Sequence, residues 1–258
     1  MAHKKTDVQN QKAAKLLAAF LALCLWLLAA VLVDNRLLLA GPLQVAERLW
    51  QLLGEQTTWQ ALGCSFGRIS LGFFLAFALA LVLAAVSARF SLAEILLRPY
   101  VLAIQTVPVA SFIVIALLWL SGRHLSIFIS FLMVLPVLYA NALQGFRAAD
   151  RQLLEMAQVF RMPRFRRVRC IFLPALAPYL KSACHVALGL CWKAGVAAEV
   201  IAVTEKSVGG MLYDAKVYLE IPDLFSWTVL IVAVSLGFEK LFLALLNRAM
   251  NRLIQWEG

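Results

Sequence analysis

The reading of this chain turns on Asp150-Arg-Gln-Leu-Leu-Glu155-Met-Ala-Gln-Val-Phe160-Arg-Met-Pro-Arg-Phe165-Arg-Arg-Val-Arg-Cys170-Ile-Phe-Leu-Pro174. It is the longest polar, basic interruption in an otherwise oily sequence, and it is patterned. Asp150 is placed to cap a short helix by accepting the free N–H groups of its first turn. Leu153, Leu154, Ala157 and Phe160 then share one face at helical spacing, with Arg151, Glu155 and Gln158 away from it. Met162-Pro163 breaks that helix, because the residue before a proline is pushed out of the helical region. A second amphipathic piece follows, with Phe165, Val168 and Phe172 on one side and Arg164, Arg166, Arg167 and Arg169 on the others. Leu173-Pro174 is expected to end it. Two short helices joined at an angle between apolar runs make a knob for another protein to grip. Phe160, Phe165 and Leu173 are expected to pack that knob against its own spans.

The totals say where such a knob sits. Apolar residues make up 63% of the 258, against about 45–50% in soluble domains, so an ordinary soluble domain is excluded. The formal charge of +10 would suggest nucleic acid in a soluble protein; here the positive-inside rule explains it. No GxxxxGK[ST] phosphate loop is present, so this chain does not hydrolyse ATP. The five cysteines (Cys24, Cys64, Cys170, Cys184, Cys191) lack ligand spacing, so neither a metal nor a disulfide framework is expected.

Glu155-Met156-Ala157, followed by Leu173-Pro174-Ala175 and Pro178, resembles the EAA loop of bacterial ABC-importer permeases. The segment from Leu62 to Phe73 resembles the start of the core domain in the nitrate/sulfonate/taurine branch of that family. Gln105-Thr-Val-Pro108-Val-Ala-Ser111 is similar to the branch's proline-containing segment, although its second proline is missing here. Trp192, Ala198-Glu199 and Gly209-Gly210 match further family segments. The resemblance covers about residues 60–258 and implies an all-α membrane protein of the type I importer fold, with six transmembrane helices. It implies a homodimer, two ABC ATPase subunits inside and a substrate-binding protein outside. The chain itself would bind no cofactor, with ATP and magnesium on the ATPase. Glu155, Met156, Ala157, Arg161, Arg164, Leu173 and Pro174 would form the coupling set. Arg161 stands where the family usually has Gly; Arg does not take positive φ cheaply, so Met162-Pro163 is expected to redirect the chain instead.

Six spans are expected. Leu16–Val33 is the first, with a cleaved signal peptide as its rival. A surface helix from Leu43 to Leu53 follows, with Val45, Leu49, Leu52 and Leu53 on one side. The later spans are expected near 61–86, 99–120, 125–146, 175–200 and 224–246, joined by a short loop at 87–98, a tight turn at Gly122-Arg-His124 and a polar stretch at 204–223. Gly63, Gly67 and Ser70 suit close helix packing. Arg68 either snorkels to the interface or pairs inside the bundle, and snorkelling is expected. Gln105, Thr106, Pro108 and Ser111 are candidates for the translocation pathway, as are Lys193 and Glu199, which lie six residues apart on different helix faces. Lys193 either attracts an anionic substrate or neutralises a carboxylate on a neighbouring helix, and the structural pairing is expected. His185 is expected to be packed or hydrogen-bonded.

With an inside start, cytoplasmic segments hold fifteen Lys and Arg, and outer segments (Arg36 among them) five. Both termini and the knob are therefore expected to be cytoplasmic, in a bacterial inner membrane. Trp256 suits an interfacial anchor. Residues 1–60 form a tail, a first span and an outer amphipathic segment; residues 61–258 form the permease core, with its coupling loop at 147–174. The expected function is ATP-driven, alternating-access import of a small solute, with a sulfonate- or nitrate-like anion favoured by Lys193. The alternatives are the coupling subunit of an ECF-type vitamin importer, whose Ala-Arg-Gly signatures are missing, or an ATP-independent carrier.

Overall fold

The computed structural model describes residues 2–33 and 39–255, with side chains at 14, 17, 18, 20–33 and 39–253. Arg36 and Trp256 lie outside the described residues. Those residues are helical, with no strand among them. The helices are α1 (Ala2–Val33), α2 (Pro42–Gly54), α3 (Gln56–Arg89), α4 (Ser91–Thr106), α5 (Val109–Ala116), α6 (Gly122–Arg147), α7 (Arg151–Val159), α8 (Arg164–Arg167), α9 (Leu173–Ile201), α10 (Val208–Val217) and α11 (Ile221–Gln255). A π-helical segment, Val168–Phe172, joins α8 to α9.

Among the described residues four helical stretches are long and apolar enough to cross a membrane: Gln56–Arg89, Gly122–Arg147, Arg164–Ile201 and Ile221–Leu253. The pair α4–α5, bent by 99° at its break, makes a fifth if taken as one span. In α1 the stretch with contiguous described side chains, Phe20–Val33, is apolar and forms the C-terminal part of the expected first span.

Several local expectations need correction. The expected loop at 87–98 is mostly helix, because only Phe90 interrupts α3 and α4. Gly122–His124 is not a tight turn but the first turn of α6, whose N-cap Ser121 carries its hydroxyl 2.9 Å from His124 Nδ1. The polar stretch after residue 204 contains α10. Leu173-Pro174 does not end the second helix of the knob. The π turn, in which the Leu173 N–H reaches back to the Val168 carbonyl, widens the backbone just before Pro174, where an ordinary helix would clash with the ring.

The chain forms two compact units, residues 1–59 with 211–230 and residues 60–210 with 231–258. In the first, α2 starts at Pro42, where the missing N–H costs nothing, and the Gln44 side chain accepts from the Gly41 N–H. Its buried side is Val45 and Leu52, while Leu53 is exposed. Arg48 forks onto Asp223, Nε–Oδ1 2.5 Å and Nη2–Oδ2 2.9 Å, and also reaches Glu55 at 3.1 Å. The Ser226 hydroxyl donates to the Val45 carbonyl, and Trp26 stacks on Phe225.

The second unit is built on α6 against α9. Lipid offers no hydrophobic drive for helices to associate, so contact rests on close packing of small side chains. Ala183, Ala187, Ala194 and Ala198 of α9 are buried, as are Leu125, Ile129, Val134 and Leu138 of α6. A Cβ on Gly195 would meet Ser130 Oγ at 2.5 Å, and one on Gly145 would meet Leu176 Cδ1 at 2.7 Å. Ile113 and Ala116 of α5 pack into the same core. Between α3 and α11, Phe73 stands edge-on to Phe242 (centroids 5.0 Å), with Phe238 beside them.

Close packing on α3 is only partly where the spacing placed it, since Ser70 is buried but neither glycine is at a contact. Gly63 and Gly67 face open space, whereas a Cβ on Gly72 would meet the Ile127 carbonyl oxygen at 2.5 Å. Gly72→Leu is therefore expected to cost about 1–3 kcal/mol, and Gly63→Leu to change stability by no more than about 0.5 kcal/mol. Thermal unfolding of the detergent-purified chain distinguishes the two.

Candidate functional site

The knob is anchored through small and aliphatic groups. Asp150 Oδ1 accepts from the Gln152 N–H at 2.8 Å, the expected cap. Ala157 is fully buried and clusters with Ala149 and Ile171, and Leu154, Met162, Phe172 and Ala175 close around them. Leu173 and Pro174 are half-buried. The aromatic anchors read from the sequence are misplaced, because Phe160 and Phe165 are 74% and 77% exposed. They fall on the outward side with Leu153, Met156 and Val159, all exposed, and with Glu155 and Arg164. The spacing identified the amphipathic helix but not which of its apolar residues the spans cover.

Arg161 also corrects an expectation. It takes φ 49°, the conformation that Gly adopts freely and other residues at roughly 1–2 kcal/mol. The reason is the closure it permits: the Met162 N–H bonds to the Ala157 carbonyl at 2.9 Å and the Arg161 N–H to the Gln158 carbonyl at 3.1 Å. This is a Schellman cap, and Met162 packs beside Ala157 to complete it. Val203 (φ 47°) and Leu219 (φ 58°) end α9 and α10 in the same way.

The pathway candidates separate into three places. Gln105, Thr106, Pro108 and Ser111 surround the α4–α5 break, all exposed. The Thr106 hydroxyl donates to the Leu102 carbonyl, and the Pro108 carbonyl accepts from the Ser111 N–H, so local groups satisfy part of the broken backbone. Lys193 is exposed and lines a cavity of about 390 Å³ with Gly189, Trp192, Ser235 and Glu239. Among the described residues it pairs with no carboxylate, so the expected structural pairing is not present. Glu239 instead meets His185, Nδ1–Oε1 2.5 Å, which gives His185 its hydrogen bond.

Glu199 is the third place, and it lines no open path. Its side chain is fully buried. Oε2 accepts from the Ser65 hydroxyl at 2.6 Å and from the Gly209 N–H at 3.3 Å, while Arg68 Nη1 lies 3.6 Å from Oε1. Ser65 in turn accepts from the Val208 N–H at 2.9 Å. Arg68 is therefore paired inside the bundle, contrary to the snorkelling expected of it, because a buried carboxylate demands a counter-charge. A Cβ on Gly209 would sit 2.3 Å from Glu199 Cβ, so glycine is required for the first turn of α10 to lie on the carboxylate. The spacing of Ser65 and Arg68, three residues apart on one helix, already placed both on one face; their partner was not visible in sequence.

The model of one family, described as "Binding-protein-dependent transport system inner membrane component", matches residues 54–255. The chain belongs to that family. Among its relatives, a probable ABC transporter permease protein of Brucella abortus (strain 2308) is 28% identical, over 85% of this chain and 86% of the relative. The taurine transport system permease protein of Escherichia coli (strain K12) is 26% identical, over 90% and 85%. The nitrate import permease protein of Synechococcus elongatus is 24% identical, over 92% and 85%. The chain is thus an ABC-importer permease of the type I fold in the nitrate/sulfonate/taurine branch, a multi-pass inner-membrane protein. It is a transport subunit working with a separate ATPase and a substrate-binding protein. The vitamin-importer and carrier alternatives are not favoured.

Removing Arg68 alone strands a buried charge. Arg68→Ala is expected to cost about 3–5 kcal/mol, and Glu199→Gln less. The Arg68/Glu199 double-mutant cycle, read by thermal unfolding, is expected to show a coupling of at least about 1 kcal/mol.

Proposed function

We infer that this permease works as a homodimer with two ATPase subunits seated on its knobs, and imports a small oxyanion or organic anion. One observation carries the reading. The knob offers an outward face of Leu153, Glu155, Met156, Val159 and Phe160, while Ala157 and Ile171 fix it to its own spans. An anchored element with an unpartnered apolar face is a handle. In this reading both termini and the knob are cytoplasmic, six spans cross the membrane, and residues 61–258 form the core to which residues 1–60 are appended. Glu155, Met156, Arg161 and Arg164 meet the ATPase; Ala157, Leu173 and Pro174 hold the loop. ATP and magnesium stay on the ATPase.

The mechanism follows from mechanical continuity. Closing of the ATPases moves both knobs together. Arg164–Ile201 is one helical stretch of 38 residues, so movement at α8 is carried along α9. A gap between protomers then opens outward, and Gln105, Thr106, Pro108, Ser111 and Lys193 border it. Glu199 acts from behind that surface by holding the Gly209-Gly210 turn of α10 in place.

The relatives support the substrate class, since they include permeases for taurine, nitrate and bicarbonate and a "Putative aliphatic sulfonates transport permease protein". Lys193 supports it physically. An unpaired ammonium deep in a span is costly unless it faces water and a solute.

The test uses the permease assembled with its ATPase. Glu155→Arg is expected to lower substrate-stimulated ATP hydrolysis at least tenfold, about 1.4 kcal/mol of coupling, with membrane insertion unchanged. Unchanged stimulation overturns the assignment of the handle.

A further inference from the structure

Beside the knob the cytoplasmic ends of the spans leave a cavity of about 420 Å³. Its walls are Ala85 and Ala88 of α3, Phe146 of α6, Leu154 of α7 and Phe172. Three arginines line it as well: Arg89 at the end of α3, Arg147 at the end of α6 and Arg151 in the first turn of α7. Arg147 is neutralised by Glu94. Arg89 lies over the Phe90 ring at 5.6 Å, which leaves its charge uncompensated. Arg151 has no carboxylate partner among the described residues. Both Arg89 and Arg151 are exposed.

An apolar trough with two unneutralised cations, at the level where two membrane helices end, matches one available molecule in shape and charge. We propose that the cavity binds an anionic phospholipid of the inner leaflet, its phosphate on Arg89 and Arg151 and an acyl chain along Ala85, Ala88 and Phe146. Guanidinium groups suit phosphate because their planar N–H pairs match its oxygens. Basic pockets between spans on the cytoplasmic side take anionic head groups for the same reason. The occupant would touch α3, α6, α7 and the π-helical segment together. It therefore fills the gap beneath the handle and stiffens its seat without covering the face offered to the ATPase. The proposal rests on the reading of residues 150–174 as a coupling loop at the inner membrane edge, but its test needs no ATPase.

The purified permease is stripped in neutral detergent and titrated with phosphatidylglycerol or phosphatidylcholine, and retained lipid is counted by native mass spectrometry. Wild type is expected to retain phosphatidylglycerol about tenfold more tightly than phosphatidylcholine, and R89Q/R151Q is expected to lose that preference. Thermal unfolding in phosphatidylcholine checks that the double variant folds. Should it fail to fold, Ala88→Trp decides, since it fills the trough with both charges in place; it is expected to release the bound phosphatidylglycerol. Equal retention of the two lipids overturns the proposal. So does retention that survives R89Q/R151Q or Ala88→Trp, or competition by inorganic phosphate at the same concentration, which would indicate a free-anion site. A failure here with Glu155→Arg still uncoupling the ATPase leaves the handle intact and removes only the lipid.

Discussion

The unbroken helical stretch from Arg164 to Ile201 is the constraint on which the other features depend. At 1.5 Å per residue it spans roughly 57 Å, from the knob to the end of α9, where Glu199 meets the first turn of α10. A break at Leu173-Pro174 would place a hinge between handle and span, and movement at one end would be lost before it reached the other. The π-helical segment removes that hinge by giving Pro174 room within a continuous helix.

Each end of the stretch is fixed by a different device. At the knob end the contacts are apolar and small, with Ala157 of α7 buried against Ala149 and Ile171. The Schellman closure at Arg161 turns the chain sharply enough for α8 to begin almost at once. At the far end the device is electrostatic. Glu199 holds Ser65 and Arg68 of α3 and the Gly209 N–H together, so that α3, α9 and the first turn of α10 are tied at one carboxylate. Burying a carboxylate in this way is weak evidence for added stability and better evidence for one specified arrangement. Val203, a β-branched residue at positive φ beside this cluster, is strained in a way that only a well-held neighbourhood sustains.

Much of this was legible in the sequence, and the reasons are physical. Long apolar runs bounded by charge define spans whatever their partners, so α3, α6, α9 and α11 could be placed from composition. The Asp150 cap and the break at Met162-Pro163 are local chemistry and were readable for that reason. What was not legible depends on partners distant in sequence. Periodicity put Leu154, Ala157 and Phe160 on one apolar face, but whether a residue on it meets a span or solvent is decided by Ile171 and Met162. Arg68 was read as snorkelling because nothing near it in sequence announces Glu199, 131 positions away. Gly63 and Gly67 had the right spacing for a helix contact, yet Gly72 makes it, because the crossing point on α6 fixes which turn is close. Arg161 was judged against the cost of its own backbone, and two hydrogen bonds outweighed that cost.

The central claim is that the knob is an inner-face handle gripped by the ATPase. Its most direct test is a cysteine-free chain carrying Val159→Cys, at a position 79% exposed on the outward face, probed with a membrane-impermeant maleimide. The account predicts labelling in inside-out vesicles, none in right-side-out vesicles, and protection once the ATPase is assembled. Labelling from the outer side, or full reactivity with the ATPase bound, would contradict it.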